Sequence, residues 1–339
     1  MANVIIGIHG LGNKPPRQLL EHWWNLSMVE GLENNGHKTT LPRFEMVYWA
    51  DILHDRPMDE EETNPESPYF MDEKYEKGKS LQGTEDYNLR MKVVDFLGRQ
   101  LNRIFLNDDF SLNYSFITDT LLNKYFRDLE IYYSESSGPY DVSGRKAKEM
   151  IRERLLLALE KHKKDNIMLI CHSMGTIIAF DVLTFMAPHI KINTLITIGS
   201  PLGLPVVVGK IVAEQKQNAM ADKQIHTPPG VCGNWYNFAD INDNVALDYK
   251  LEDNFLENAH GVKPIDFLVR NNYESNGVPN PHKSYGYLRT PEFSTVLNDF
   301  VLSEHLSLKE KIVRQTVRVT DYLKDILKKP EPDQTEVSF

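Results

Sequence analysis

An α/β fold with a mostly parallel central sheet flanked by helices is what this sequence predicts, and three stretches predict it. Val4–Ile8 is a short β-branched run, followed by a glycine turn and then helical spacing over Arg17–Leu32. Ile167–Ile170 is a second such run, followed by the corner Cys171-His172-Ser173-Met174-Gly175 and helical spacing over Thr176–Phe185. Asn193–Ile198 is a third, closed by Gly199-Ser200-Pro201. Short uninterrupted apolar runs are the mark of strands buried on both faces. Their alternation with helices implies parallel pairing through right-handed crossovers.

Taken in order, Val4–Ile8 ends in His9-Gly10-Leu11-Gly12 and a loop with Pro15-Pro16. The helix over Arg17–Leu32 brings Leu20, Trp23, Trp24, Ser27, Met28 and Gly31 to one face and stops at Asn34-Asn35-Gly36. Phe44–Trp49 reads as the next strand. From Ile52 to about Tyr140 the rhythm breaks. The part up to Gly83 is polar and acidic, with Pro57, Pro65 and Pro68, and reads as an irregular loop. Two apolar helical stripes follow, Leu89–Phe105 and Leu112–Leu129. Residues 52–140 are therefore expected to be an insertion on a core of 1–51 and 141–328. It forms either a lid over a substrate pocket or additional core packed on the body. Gly144–Lys163 reads as a helix leading into the Ile167–Ile170 strand, and Leu202–Gly230 as a connector with a short helix. Trp235–Phe238 and Pro264–Val269 read as strands, Glu292–Leu306 and Leu308–Leu327 as closing helices, and 329–339 as a flexible tail.

With 339 residues the chain has room for a sizeable core. Met1-Ala2-Asn3 runs straight into the first strand with no basic or long apolar leader, and no run approaches membrane-spanning length. The two cysteines, Cys171 and Cys232, make no disulfide framework. The expectation is a cytoplasmic protein without a transmembrane segment. A net charge of −10 argues against nucleic acid as a partner. Much of the acid lies in 51–86, where twelve carboxylates face four basic side chains, the pattern of a solvated surface loop.

Strand, tight turn with a central serine, then helix is the context of a nucleophile elbow: the turn lifts Ser173 off the sheet, and the start of the helix faces it with free N–H groups. The alternative is a buried strand with Ser173 as a helix cap. After the first strand, the glycines at 7, 10 and 12 fit a nucleotide-binding turn poorly, because the acid expected about twenty residues on is absent and Asp51 comes too late. The same turn fits an oxyanion loop with a backbone N–H near Leu11. A serine nucleophile needs a histidine base, and the base needs an orienting carboxylate. Downstream of Ser173 the loops after successive strands supply both: Asp243, with Asp240 as runner-up, and then His282. His260 precedes the last strand and His226 precedes the acid, so both fit less well. His9 and His172 are expected to fix backbone by hydrogen bonds. Asp240–Leu251 fails as a calcium loop, since Val245 stands where glycine is needed and Leu251 where glutamate is needed. No spacing suggests zinc, so neither metal nor cofactor is expected.

Cys171–Gly175, His9–Gly12, Asp243 and His282 resemble the α/β-hydrolase superfamily, specifically its lipase- and esterase-like members. Residues 173–184, Gly199–Leu202 and Asp243–Ala246 are also similar to stretches of intracellular phospholipase A1 proteins. The resemblance covers the sheet body and leaves out 52–140. It implies an α/β-hydrolase fold, shortened at its N-terminus by two strands. It also implies Ser173 as nucleophile, His282 as base, Asp243 as acid, and the N–H groups of Leu11 and Met174 as the oxyanion hole. Cys171 stands where the family usually has glycine. The expected activity is cleavage of a small-molecule or lipid ester. The alternatives are an acyltransferase or thioesterase with the same residues, or a non-catalytic binding protein of this fold. The sequence sets no oligomeric state.

Overall fold

The computed structural model describes residues 2–72, 74–78, 131–133, 144–218, 224–246 and 250–303. The two helical stripes expected at 89–129 and the tail lie outside these residues, as does the closing helix expected at 308–327. Strands β1 (Asn3–Ile8), β2 (Arg43–Val47), β3 (Asn166–His172), β4 (Ile192–Ile198), β5 (Val231–Asp240) and β6 (Pro264–Val269) form one sheet. The order is β2-β1-β3-β4-β5-β6 and every pairing is parallel. The chain steps from β1 outward to β2, then returns to β3 on the other side of β1. The order therefore reverses between β1 and β3, the place where open sheets of this kind bind ligands at the carboxyl ends of their strands.

Helices cover both faces. Helix α1 (Arg17–Asn34) and the late helix at Pro291–Leu302 lie on one side, with Trp24, Met28, Phe293 and Leu297 packed on Ile5, Met168 and Ile170. On the other side, α3 (Ala147–His162), α4 (Met174–Asp181) and α5 (Pro205–Gln217) pack on Val4, Ile6, Ile167 and Leu169. Successive strand residues thus enter opposite cores, which is why the strands read as continuous apolar runs. The short α2 (Ala50–Leu53) begins where a strand to Trp49 was expected, so β2 ends at Val47 and Trp49 is fully buried instead. The elbow helix continues as a π-turn at Val182–Met186. Beyond β6 come the hairpin β7 (Glu274–Ser275) and β8 (Val278–Pro279), then α6 (Ser284–Tyr287) and α7 (Pro291–Leu302). Pro291 opens α7, and Thr290 caps it by accepting from Phe293 N–H, an arrangement typically worth about 1 kcal/mol.

Within the irregular 54–78 stretch, Asn13 Nδ2 donates to Arg56 O and Pro68 O, which ties the stretch to the loop after β1. Tyr132 falls inside the expected insertion. It is fully buried between α3 and α4, donating to Asp181 and accepting from Arg152. At this residue the segment is core. No described helix is long and apolar enough to cross a membrane.

Candidate active site

The elbow is built as its residue types require. Cys171 lies one residue before the end of β3, with no exposed surface, beside Ile8 on one neighbour and Thr197 on the other. Ser173 then takes φ 53° and ψ −127°. A non-glycine residue held in such a region costs about 1–3 kcal/mol and persists only where its surroundings impose it. Ser173 N–H donates to Ile198 O at 3.1 Å, and Thr176 N and Oγ1 both return to Ser173 O. Gly175 lets the helix cross β1, since a Cβ there would stand 2.7 Å from Ile8 O.

Ser173 Oγ lies 3.0 Å from His282 Nε2. His282 Nδ1 lies 2.9 and 3.0 Å from the two Asp243 oxygens. A carboxylate only accepts, so the imidazole proton sits on Nδ1 and Nε2 is left to accept from the serine hydroxyl. Ser173 and Asp243 are buried, and the His282 side chain is 16% exposed. Among the described residues the other groups on the Asp243 carboxylate are donors: Val245 N at 2.9 Å, Ala246 N at 3.4 Å and Tyr287 OH at 2.7 Å. Burial, and then the Asp243 charge, push the Tyr287 phenol well up, so it stays a donor. Gly199, at φ 54°, leaves room for this pair, because a Cβ there would meet Asp243 Oδ2 at 2.9 Å and His282 Nδ1 at 3.1 Å.

Asp240 is engaged elsewhere. It closes β5, and its oxygens accept from Asn242 N at 2.8 Å and Asn271 N at 2.6 Å. Burial raises its carboxyl above the ordinary range against those donors. His260 is exposed, and His226 bonds Glu257 O in the connector. Leu11 lies in the loop that passes directly over the elbow, where a Cβ on Gly10 would be 2.7 Å from the Ser173 Cβ. Met174 opens α4, ahead of intrahelical pairing. Tyr287 and Asn271 were not expected from the sequence. Both sit among ordinary turn residues, and only their partners mark them out.

His9 and His172 hold backbone. His9 stacks on Trp49 with ring centroids 4.7 Å apart, accepts from Trp49 N at Nε2 and bonds Gly10 O through Nδ1. His172 Nε2 donates to His282 O at 2.7 Å. Burial depresses both imidazoles well below their usual value, so both are neutral. Below about pH 6.5 the unfolded chain takes up protons that these two refuse, and folding stability falls. Thermal melts are therefore expected to show wild type losing more stability than His9→Asn as the pH drops from about 6.5 toward 5. Parallel losses would refute this.

The parallel sheet, its strand order and the strand–elbow–helix at the switch point define an α/β-hydrolase-like architecture. Residues 145–227 match the family model described as "PGAP1-like alpha/beta domain", an α/β-hydrolase-like family. The matched stretch includes Ser173 and stops short of Asp243 and His282. No curated protein and no solved structure matches the chain significantly.

Proposed function

We propose that this chain is a serine hydrolase cleaving a carboxylic ester of a small molecule or lipid through an acyl-enzyme. Ser173 Oγ attacks the acyl carbonyl and His282 Nε2 takes its proton. Asp243 orients the ring and stabilises the imidazolium, and the Leu11 and Met174 N–H groups receive the oxyanion. Collapse breaks the bond to the alcohol, which leaves with the proton from His282. Water, deprotonated by the same imidazole, then attacks the acyl-enzyme and frees the acid and Ser173. The observation that carries this reading is the unbroken run of hydrogen bonds from Ser173 Oγ through His282 to Asp243, at the carboxyl ends of the strands, where such sheets bind ligands.

The test is a fluorophosphonate probe with the labelled residue mapped, alongside p-nitrophenyl acyl esters of increasing chain length. Labelling at Ser173 with turnover of at least one ester is expected. A well-folded chain that neither labels nor turns over would be a binding protein on this fold.

A further inference from the structure

His282 sits on irregular backbone between the β7–β8 hairpin and α6, where no sheet or helix ladder holds it. Its neighbourhood is nonetheless fully tied. The amide Nδ2 of Asn271 donates to Pro281 O and to Lys283 O, each at 2.8 Å. Between those two carbonyls, His282 O accepts from His172 Nε2. Three consecutive carbonyls are thus held, the outer two by one side chain. Asn271 is itself fixed at both ends: its Oδ1 accepts from Tyr273 N at 3.0 Å, and its N–H donates to Asp240 Oδ2. Asp240 in turn holds the turn that carries Asp243, through Asn242 N on its carboxylate and Asp243 N on its carbonyl. The Asn271 amide fills its slot, since a Cβ on Gly286 would stand 1.6 Å from Asn271 Oδ1.

We propose that Asn271 is the positioning residue of the histidine base, a fork that grips the backbone on either side of His282 and ties it, through Asp240, to the acid turn. The proposal rests on the triad reading above. Only a primary amide offers two N–H donors on one atom together with an acceptor beside them. Asn271→Asp keeps the shape and replaces both donors with acceptors facing two carbonyls. Asn271→Ala removes the fork. In either variant the backbone at Pro281 and Lys283 loses the grip that helps Nε2 meet Ser173 while Nδ1 meets Asp243, although His282 O stays on His172 and His282 N–H on Asn280 Oδ1. A misplacement of about 1 Å can cost on the order of 100-fold in rate.

A second asparagine provides the control. Asn258 Nδ2 donates to Pro228 O at 3.0 Å and Val231 O at 2.8 Å, and its Oδ1 accepts from His260 N. The same fork therefore stands at the start of β5, the opposite end of that strand from Asp240. The experiment compares full-length wild type, Asn271→Asp, Asn271→Ala and Asn258→Asp. It reads the fluorophosphonate labelling rate at Ser173 across pH, together with kcat and KM on an ester that wild type hydrolyses. The expected result for both Asn271 variants is a labelling rate and kcat lower by about 100-fold, with KM changed by less than about threefold. The acidic limb of the pH profile, where the proposed base is lost to protonation, moves to higher pH in Asn271→Asp, because a carboxylate near the ring favours the imidazolium. Asn258→Asp labels at the wild-type rate even where its melting temperature falls as far. Folded Asn271 variants that label like the control, with an unmoved limb, overturn this proposal alone. A wild type that does not label overturns the triad reading and this proposal with it. If neither Asn271 variant folds, Asp240→Asn is read in the same way: it loosens the strut from its far end, and an unchanged labelling rate overturns the proposal.

Discussion

Ser173→Ala is expected to lower ester turnover by on the order of 10⁵–10⁶-fold and to abolish fluorophosphonate labelling, with the fold unchanged. The backbone contacts that shape the elbow belong to Ser173 N and O, and both survive the substitution. What is lost is the Oγ atom, whose partner at the site is His282 Nε2. His282→Ala is expected to cost about as much, and the double variant hardly more than either alone, because in the proposed mechanism the two residues act as one unit. Asp243→Asn is expected to cost on the order of 10⁴-fold, since an amide beside Nδ1 supports the wrong tautomer. Steady-state kinetics on purified, folded variants decide this. Turnover above about a tenth of wild type in Ser173→Ala would remove the serine from the mechanism.

Arg152→Ala is expected to destabilise the protein by about 3–5 kcal/mol while leaving the chemistry of Ser173 alone. Arg152 is buried on α3 where it meets α4 and α5, and pairs with Asp181 and with both oxygens of Glu214, at 2.7 and 2.9 Å. Its Nε donates to Tyr132 OH at 2.9 Å, and Lys148 completes the cluster on Glu214 at 2.7 Å. Asp181 is fully buried, and that burial raises its carboxyl even beside the guanidinium. Without Arg152 the buried Asp181 carboxylate loses its directly bonded counter-charge and keeps only the more distant one of Lys148, and such a group is pushed to take up a proton or draw water in. Replacing the ion pair with apolar residues is expected to recover most of the loss, because a buried pair repays little more than its own desolvation. The measurements are the urea midpoint and the Ser173 labelling rate at a temperature where all variants are folded. A shift below about 1 kcal/mol would mean that the cluster is wetter than its burial implies.

The sheet was legible wherever a strand is buried on both faces, because there the chain cannot afford a polar residue. That is why β1, β3 and β4 stand in the sequence nearly at their true bounds, while β6, a half-buried edge strand that carries Asp266, is read from its apolar run. Strand β5 is longer than it reads, since Cys232-Gly233-Asn234 resembles a turn while being paired to β4. Helix α5 is the short helix expected within the 202–230 connector, but Val206-Val207-Val208, a run with strand propensity, leaves its bounds unreadable in the sequence. Pro205 at its first position and the buried face of Val206, Val207 and Ile211 settle it as a helix. At the site, chain order brought out Ser173, Asp243 and His282, and the three side chains meet. The same order could not separate Asp243 from Asp240. Register does so: Asp240 is paired with Val269 at the end of β6, so its carboxylate meets Asn271 at the start of the loop beyond that strand. Tyr287 and Asn271 were invisible because their roles depend on partners brought close by folding alone, and tyrosine and asparagine in a turn-rich stretch carry no pattern of their own.

The strand order also sets a timetable. Ser173 follows β3 in the middle of the sheet, whereas its two partners follow β5 and β6, the strands added last at one edge. A chain emerging from the ribosome only as far as the loop after β5 would carry Ser173 and Asp243 but not His282. Parallel strands joined across long connections pair slowly, on the scale of milliseconds to seconds. The hydroxyl would therefore stay unreactive until the final strand has docked. Gain of fluorophosphonate reactivity during refolding would then report sheet closure itself, a clock built into the order in which the strands are laid down.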